Sequence, residues 1–420
     1  MKYLLYYDAA SAYTAEQVAA GGDGSKVVSV VDGVAWCEDS EKTYYRYSNK
    51  SEDIFVATIT VHHRNVSGYE LISSTTVTGE CFSGMTTKIF VAPANIDGYK
   101  SIESGKTVTI SGATASVDFV YRYDFTPDYS KPLTFEILTD GYISWRTQYS
   151  GDTWASNKVI SYSKNKGERQ SIRSSYNGTH IDVSAGDIVE FFGNNDMYGQ
   201  TYNYVHSFSG TTAEFNLKGN IMSLISSNNF ENLKSFPTGT NYNFRGLFNA
   251  CKTLKHAREL LLPAEELTEN CYDGMFEYCT NLLSAPNLPA TSLASGCYSG
   301  MFGGCINLVE APESLSARPV SSSYWYMFRQ CSNLLWAPII LNAIPGLSNR
   351  YYYFYMFTGC TNLCYVRLYS NETYTQIGNV STGWLEGVSE TGVFEKSSRL
   401  TGISSGKNGI PTGWTVVDVD

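Results

Sequence analysis

The chain has 420 residues, of which 43% are hydrophobic and only 17% are charged. Its 32 Tyr and 36 Gly favour strands and turns over long helices. The formal net charge of -10 argues against binding to nucleic-acid phosphates, which requires clustered Lys and Arg. A chain of this length is expected to form roughly two to four domains.

Residues 1–50 are predicted to be an anchoring segment. The N-terminal stretch MKYLLYYDAASAYTAEQ has one Lys and a short apolar run broken by Asp8, so it does not match a secretion signal. KVVSVVDGVAWCEDSEKTYYRY then predicts two short strands around a turn at Asp32-Gly33. Nothing in the sequence approaches the apolar run of about 18 residues that a membrane span needs. The segment is too small for a large core and is expected to dock on another protein.

Residues 53–125 alternate short strands with Gly, Asn and Ser turns. The strands read FVATITVHH, TTVTGE, KIFVAPA, KTVTISG and SVDFVYRY. The order ITVHH, TTVTGE, FVAPANIDGYKSI, KTVTISG and DFVYRY resembles the mucin-binding (MucBP) repeat domain. This resemblance implies a small β-sheet module that acts as a spacer or adhesin unit in surface proteins, without implying that mucin itself is bound.

Residues 130–220 again alternate strands with turns. The segments LTFEIL, GYISWRTQ, GTHIDVSAGDIVEFFGNN and TTAEFNL predict a small antiparallel domain of the β-sandwich type.

A repeated motif, Phe-x-x-Cys-x-x-Leu, dominates residues 221–370. Its cysteines are Cys251, Cys279, Cys305, Cys331 and Cys360, separated by 28, 26, 26 and 29 residues. Each period continues through a loop and a helix-like segment that ends at the next Met-Phe or Leu-Phe. A period of this length with fixed Leu and Cys is typical of leucine-rich repeats, whose coils combine a short strand with a helical or 3-10 return.

The repeat motif resembles the BspA-like leucine-rich repeats of bacterial and phage surface proteins. The form NLxxAPxLPAxxLxxxCYxxMF, clearest at 281–302, is similar to the variety found in gut bacteria and their phages. The coils at 308–357 depart from it, since ESLSARPV and IILNAIPGL replace LPAxxL. Residues 371–420 resemble the cap that follows such repeats, and Trp384, Phe394 and Trp414 are expected to cover the last coil. The predicted fold class is therefore multidomain and mainly β, with MucBP-like and sandwich-like modules, a leucine-rich-repeat β/α solenoid and a C-terminal cap.

Three roles are open to the repeat cysteines: buried thiols, disulfides or metal ligands. Neighbouring coils place equivalent residues about 4.8 Å apart, a distance that a disulfide tolerates. Five cysteines in one column cannot all pair, however, and the close pair Cys360 and Cys364 has no second pair or His beside it to form a zinc site. We expect buried free thiols that fill the coil as small hydrophobic groups, and neither a metal nor a cofactor.

No sequence pattern predicts catalysis. His62 and His63 are adjacent on a predicted strand and therefore point to opposite faces. His180, His206 and His256 lie in separate segments, and no GxSxG, HExxH, Walker or Rossmann pattern is present. The sequence therefore predicts a protein that is not an enzyme.

Candidate binding residues occur where the repeats vary. Two residues after the repeat leucine stand His256, Ser284, Glu310, Trp336 and Tyr365, a column typical of an exposed strand ladder. The runs Tyr324-Trp325-Tyr326 and Tyr351-Tyr352-Tyr353-Phe354-Tyr355 cannot place every ring inside one coil. The candidate ligand-binding residues are therefore Trp336, Tyr365, Tyr324, Trp325, Tyr351 and Tyr353. The alternative is a core role with scattered exposed tyrosines.

The BspA-like resemblance, taken together with the missing secretion signal, favours a phage virion structural protein, a head or tail fibre or decoration protein that presents the repeats for adhesion. The expected partners are capsid or tail proteins through residues 1–50, a glycan or protein of the host surface or of mucus, and further copies of the chain in a homo-oligomer. Neither nucleic-acid binding nor membrane insertion is expected. The expected location is the virion surface. The alternative is a bacterial cell-surface adhesin with the same repeats, which would need an export signal.

Overall fold

The computed structural model describes residues 26–31, 34–38, 44–47, 54–82, 87–110, 112–147, 158–201, 204–344 and 351–419. The chain divides into two units, Met1–Asn65 with Glu70–Asp124, and Val66–Tyr69 with Phe125–Asp420. Residues 1–25, half of the predicted anchoring segment, lie outside the described residues.

The first unit is built from strands β1 to β9. Their bounds are Lys26–Val31, Val34–Glu38, Tyr44–Tyr47, Ile54–Asn65, Thr75–Phe82, Thr87–Val91, Tyr99–Ser101, Lys106–Ile110 and Thr114–Tyr123. β1 and β2 are antiparallel with Val31 opposite Val34, which confirms the hairpin predicted around Asp32-Gly33. A second sheet has the order β5-β4-β9-β7, and β6 pairs with β8. Ile59, Val61 and Phe119 belong to a hydrophobic core that this unit forms by itself.

The second unit begins with two sheets in which strands β10 to β18 pair in antiparallel fashion. Strands β10 to β18 are Leu133–Ile137, Gly141–Thr147, Val159–Lys164, Gln170–Arg173, Thr179–Val183, Ile188–Phe192, Gly199–Thr201, Tyr204–Ser207 and Phe215–Asn220. Short 3-10 helices at Ile221–Leu224 and Phe230–Asn232 follow, and then β19, Leu254–Leu261. The sheets have the orders β13-β12-β15-β10-β18-β19 and β14-β11-β17-β16. Every second residue of β10 is buried, and Phe135 stacks on Phe215 at 4.5 Å between ring centroids.

The sheet of β10 continues directly into the repeats. β19 is the strand of the first repeat, and it pairs with β18 in parallel. One buried hydrophobic cluster runs from Leu133 in β10 to Trp414 near the last strand. The later coils contribute a parallel sheet of β20 to β24, with bounds Ser314–Leu315, Ile339–Ile340, Tyr365–Leu368, Val393–Ser397 and Thr415–Val419.

The predicted fold class is wrong, because the returns of the solenoid are not helical. The segments 242–251, 270–279, 296–305, 322–331 and 351–360 are successions of tight turns, and the described residues contain no α-helix. We call these segments the turn ribbons. They are part of a mainly β protein with several small sheets, and not of a β/α solenoid. No helix in the described part of the chain is long and apolar enough to cross a membrane.

Backbone hydrogen bonding explains why the ribbons do not become helices. In the first ribbon, alternate amides donate to carbonyls of the next coil, such as Phe244 N to Cys271 O at 2.7 Å and Phe248 N to Met275 O at 2.9 Å. The amides between them close turns within the ribbon, such as Leu247 N to Phe244 O at 3.3 Å. An α-helix would direct all of its internal N–H groups along its own axis and leave the neighbouring coil unpaired.

Every fourth residue of a ribbon has a left-handed backbone. In the second ribbon these residues are Asn270, Gly274 and Tyr278, with φ of 52°, 59° and 60°. The same three positions have positive φ in each of the other ribbons. A left-handed residue at every fourth position interrupts the right-handed run that a helix needs.

The side chains inside the ribbons form columns through the coils. The phenylalanines of the repeat motif stack at 5.4 to 5.6 Å from Phe248 to Phe357. The five repeat cysteines are buried free thiols. Cys305 Sγ donates to Phe276 O of the preceding coil at 3.1 Å, and Cys279, Cys331 and Cys360 do the same in theirs. Trp384 and Phe394 are fully buried and Trp414 is 7% exposed, as expected for residues that cover the last coil.

Candidate recognition surface

The six predicted binding residues fall into three pairs, each joining two neighbouring coils. Tyr324 and Tyr353 lie inside the coils, Trp336 and Tyr365 lie on the strand segments, and Trp325 and Tyr351 lie on the outside of the turn ribbons. The structure therefore brings together residues within each pair but not all six in one site.

Tyr324 and Tyr353 belong to the hydrophobic core. Their rings stack at 6.0 Å with an interplanar angle of 5°, and they are 1% and 0% exposed. Burial raises the pKa of both phenols, because the charged form loses its hydration. Tyr324 Oη donates to Ala317 O at 3.3 Å, and Tyr353 Oη accepts from Ile344 N at 3.3 Å. These two side chains offer no surface to a ligand, so burial removes them from the candidate site.

Trp336 and Tyr365 meet edge to face at 5.2 Å. The guanidinium of Arg367 lies 6.0 Å from the first ring and 5.2 Å from the second. Trp336 is also covered by residues 66–69 of the same unit: its amide donates to Ser67 O at 3.2 Å, and a methyl group at Gly68 would lie 2.5 Å from its indole ring. Gly68 covers one part of this ring, and Trp336 is half-buried.

The rest of the predicted strand column is an internal polar ladder. Ser284 is fully buried and its hydroxyl lies 2.9 Å from His256 Nδ1, while Glu310 is 8% exposed and accepts from Arg258 at 3.2 Å. Burial and the charges of Arg258 and Lys255 lower the pKa of His256 to about 4. The Ser284 hydroxyl is therefore covered by the protein and faces its histidine partner rather than the surface.

Trp325 and Tyr351 belong to a larger cluster that we call the aromatic patch. Its five members are Trp325, Tyr326, Tyr351, Phe354 and Tyr355, all half-buried except Tyr351, which is 46% exposed. Trp325 stacks on Tyr351 at 6.3 Å and on Tyr326 at 5.3 Å, with 24° between the planes in both cases. Phe354 meets Trp325 edge to face at 6.0 Å.

The ribbon backbone turns these rings outward. Tyr326, Tyr351 and Tyr355 occupy left-handed positions with φ of 56°, 52° and 51°, which direct their side chains away from the buried columns. Tyr326 and Tyr355 stack at 5.5 Å, and the ring of Tyr355 lies over Gly383, where a methyl group would come within 2.3 Å. The patch is a set of rings fixed by a hydrogen-bonded backbone, which suits planar or apolar faces of a ligand.

No known protein family, curated protein or solved structure matches the chain. The MucBP-like and BspA-like resemblances therefore stay predictions. Within the described ranges, no group of three or more His, Cys, Asp or Glu is placed to hold a metal ion.

Proposed function

We propose that the protein is an adhesion protein of a phage virion, without enzymatic activity, that recognises glycan on the host surface or in mucus through its turn ribbons. The aromatic patch is the observation that carries this proposal. Tyr and Trp combine a large apolar face with a polar edge, and they are favoured where a protein binds partners or sugar rings.

Rigidity adds support to the proposal. The patch residues sit on ribbons whose amides are bonded to the next coil, for example Tyr326 N to Phe354 O at 3.0 Å and Tyr355 N to Thr382 O at 3.0 Å. A surface that is already ordered loses less entropy when it binds, so it gains affinity from the same contacts.

A binding assay on the full chain tests the recognition step. We expect the protein to bind immobilised mucin or host-cell glycans, and the double variant Trp325→Ala with Tyr351→Ala to lose that binding. Tyr176→Ala is the matched control, because Tyr176 is an exposed tyrosine, at 49%, in the turn between β13 and β14 and not on the ribbons. Equal binding by the double variant and the wild type would contradict the proposal.

Immunogold electron microscopy tests the location. An antibody against residues 244–370 is expected to label the heads or tails of purified phage particles. Labelling of bacterial envelopes alone would instead favour the cell-surface adhesin.

A further inference from the structure

A polar cavity of about 170 Å³ opens on the turn ribbons next to the aromatic patch. Tyr326 belongs to both, since its ring stacks within the patch and also lines the cavity. The other polar side chains of the lining come from successive ribbons and include Arg245, Asp273, Glu277 and Arg329.

A buried ion pair forms one wall of the cavity. Arg245 Nε donates to Asp273 Oδ2 at 2.6 Å, and the side chains are 8% and 9% exposed. Burial raises the pKa of Asp273, while the Arg245 guanidinium and a hydrogen bond with Ser299 oppose this shift. The charge of Asp273 is therefore compensated inside the protein.

Glu277 is the carboxylate of the cavity that can accept hydrogen bonds from a ligand, since Asp273 is paired with Arg245. Asn249 Nδ2 lies 3.3 Å from Glu277 Oε2, and within the described ranges no cation lies at salt-bridge distance from this carboxylate. Burial and the nearby charge of Asp273 raise its pKa to about 7, against the opposing effects of Arg245, Arg329 and Asn249.

Two glycines, Gly274 and Gly300, line the cavity beside Glu277, so the main chain is exposed to the cavity there. A methyl group at Gly274 would lie 3.3 Å from Glu277 Oε2, and one at Gly300 would lie 3.9 Å from its carboxyl carbon. Tyr278, which is 45% exposed, and Tyr326 stand at the edges. The Arg329 guanidinium lies 5.3 Å from the centre of the Tyr326 ring.

The cavity thus presents carboxylate acceptors, guanidinium and amide donors, and aromatic edges. Its two arginines balance its two carboxylates, so it favours neither a strongly anionic nor a strongly cationic ligand. Hydroxyl groups on adjacent carbons of a sugar ring can donate to the carboxylate and accept from the donors at the same time, while the apolar ring face packs on a tyrosine.

We propose that this cavity binds one neutral pyranose ring of the glycan, with Glu277 accepting hydrogen bonds from its hydroxyls and the exposed Tyr278 contacting its apolar face. This inference rests on the proposed adhesive function and adds the sugar class and the residues that would select it.

The test uses the full chain on a microarray of mucin-type and bacterial surface glycans, followed by competition with free sugars. Glu277→Gln keeps the shape of the side chain but removes one charged acceptor, so binding should weaken about tenfold or more. Glu386→Gln is the matched control: it changes the equivalent ribbon position of a later coil, where Glu386 pairs with Lys407 at 2.9 Å, and should bind like the wild type. Galactose, glucose or N-acetylglucosamine should compete, whereas sialic acid should not.

The pH dependence gives a second readout. Because the hydroxyl acceptor is the ionised carboxylate, wild-type affinity should fall as the pH drops from about 8 to about 6, and that of Glu277→Gln should not. Arg245, Asp273 and Arg329 also face the cavity, and the variant leaves them unchanged.

Two results would overturn the inference. Glycan binding that is equal in the wild type and in Glu277→Gln would exclude the cavity and leave the adhesive function standing. A full chain that binds no glycan on the array would remove both.

Discussion

Replacing glycine by alanine in the ribbons distinguishes turn ribbons from helices by the sign of the stability change. In a helix, Gly→Ala stabilises by about 1 kcal/mol. In a ribbon, Gly359 has φ of 77°, a left-handed backbone that costs alanine about 1–2 kcal/mol. A methyl group at Gly359 would meet nothing closer than Gln330 Cγ at 3.4 Å, so Gly359→Ala measures the backbone cost alone.

Gly304→Ala adds a steric cost to the same backbone cost. Gly304 has φ of 74°, and its new methyl group would lie 2.5 Å from Tyr278 Cδ1. Displacing that ring adds about 1–3 kcal/mol, a value typical of overpacking. The substitution Tyr278→Ala removes the ring that the new methyl group displaces. It should therefore abolish the steric part of the destabilisation caused by Gly304→Ala, and it should not reduce the destabilisation caused by Gly359→Ala.

Urea unfolding of the full chain, followed by near-ultraviolet circular dichroism of the stacked aromatic rings, measures these changes. The expected order of stability is wild type, then Gly359→Ala, then Gly304→Ala. If either single variant were more stable than the wild type, the left-handed ribbon would be the wrong description and a helical return would be favoured.

Three further predictions concern charge, thiols and the cap. Glu277 binds a proton more tightly when folded, because its pKa rises from 4.5 to about 7; stability should therefore fall as the pH rises through that window. In Glu277→Gln, the free energy of unfolding should lose about 2 kcal/mol less than that of the wild type over this pH window, after allowance for the partial exposure of the side chain. Thermal unfolding at a series of pH values measures this, and a Tm that falls with rising pH as steeply in the variant as in the wild type would contradict it. Burial raises the pKa of the Cys305 thiol, so a maleimide should label half-buried Cys364 before Cys305, and Cys305 only on unfolding, as read by mass spectrometry. Rapid labelling of Cys305 in the native protein would be inconsistent with its burial. Trp384→Ala should destabilise the unit by about 3–5 kcal/mol in urea unfolding, and a loss below about 1 kcal/mol would show that the cap does not depend on this ring.

The sequence predicts the interior of the coils well. A residue type that recurs at the same place in every repeat is expected to fill the same place inside every coil. Cys305 and Phe302 recur with their neighbours every 26 to 29 residues, and the structure buries them. Trp384 and Phe394 interrupt the repeat with large apolar groups, and they too are buried.

The prediction of a helical return was wrong because a four-residue repeat of buried side chains resembles the 3.6-residue repeat of a helix over a short segment. In the second ribbon the interior residues are Cys271, Tyr272, Met275, Phe276 and Cys279, pairs that recur every four residues. A helix of 3.6 residues per turn produces almost the same pattern over ten residues. The glycines at Gly296, Gly300 and Gly304 were the available signal, since a glycine at every fourth position is poor for a helix and suits a repeated left-handed turn.

The binding site is only partly predictable from the sequence. Several sets of equivalent positions vary from one repeat to the next, so variation alone does not identify the set that binds a ligand. The strand column varies in sequence, but its members Ser284 and Glu310 are buried and the other three are half-buried. The ribbon columns vary in the same way: six residues before the repeat cysteine stand Arg245, Asp273, Ser299, Trp325 and Phe354, and two residues before it stand Asn249, Glu277, Gly303, Arg329 and Thr358. These columns contain the cavity residues and part of the aromatic patch. Choosing among the columns requires the direction of each side chain, which the left-handed backbone sets.

Hydrogen–deuterium exchange of the full chain, with and without bound mucin glycan, tests most directly whether the turn ribbons are the recognition surface. The account predicts slower exchange in residues 270–279, 322–331 and 351–360 when glycan is present. Protection confined to the strand segments around Trp336 and Tyr365, or to the first unit, would contradict it.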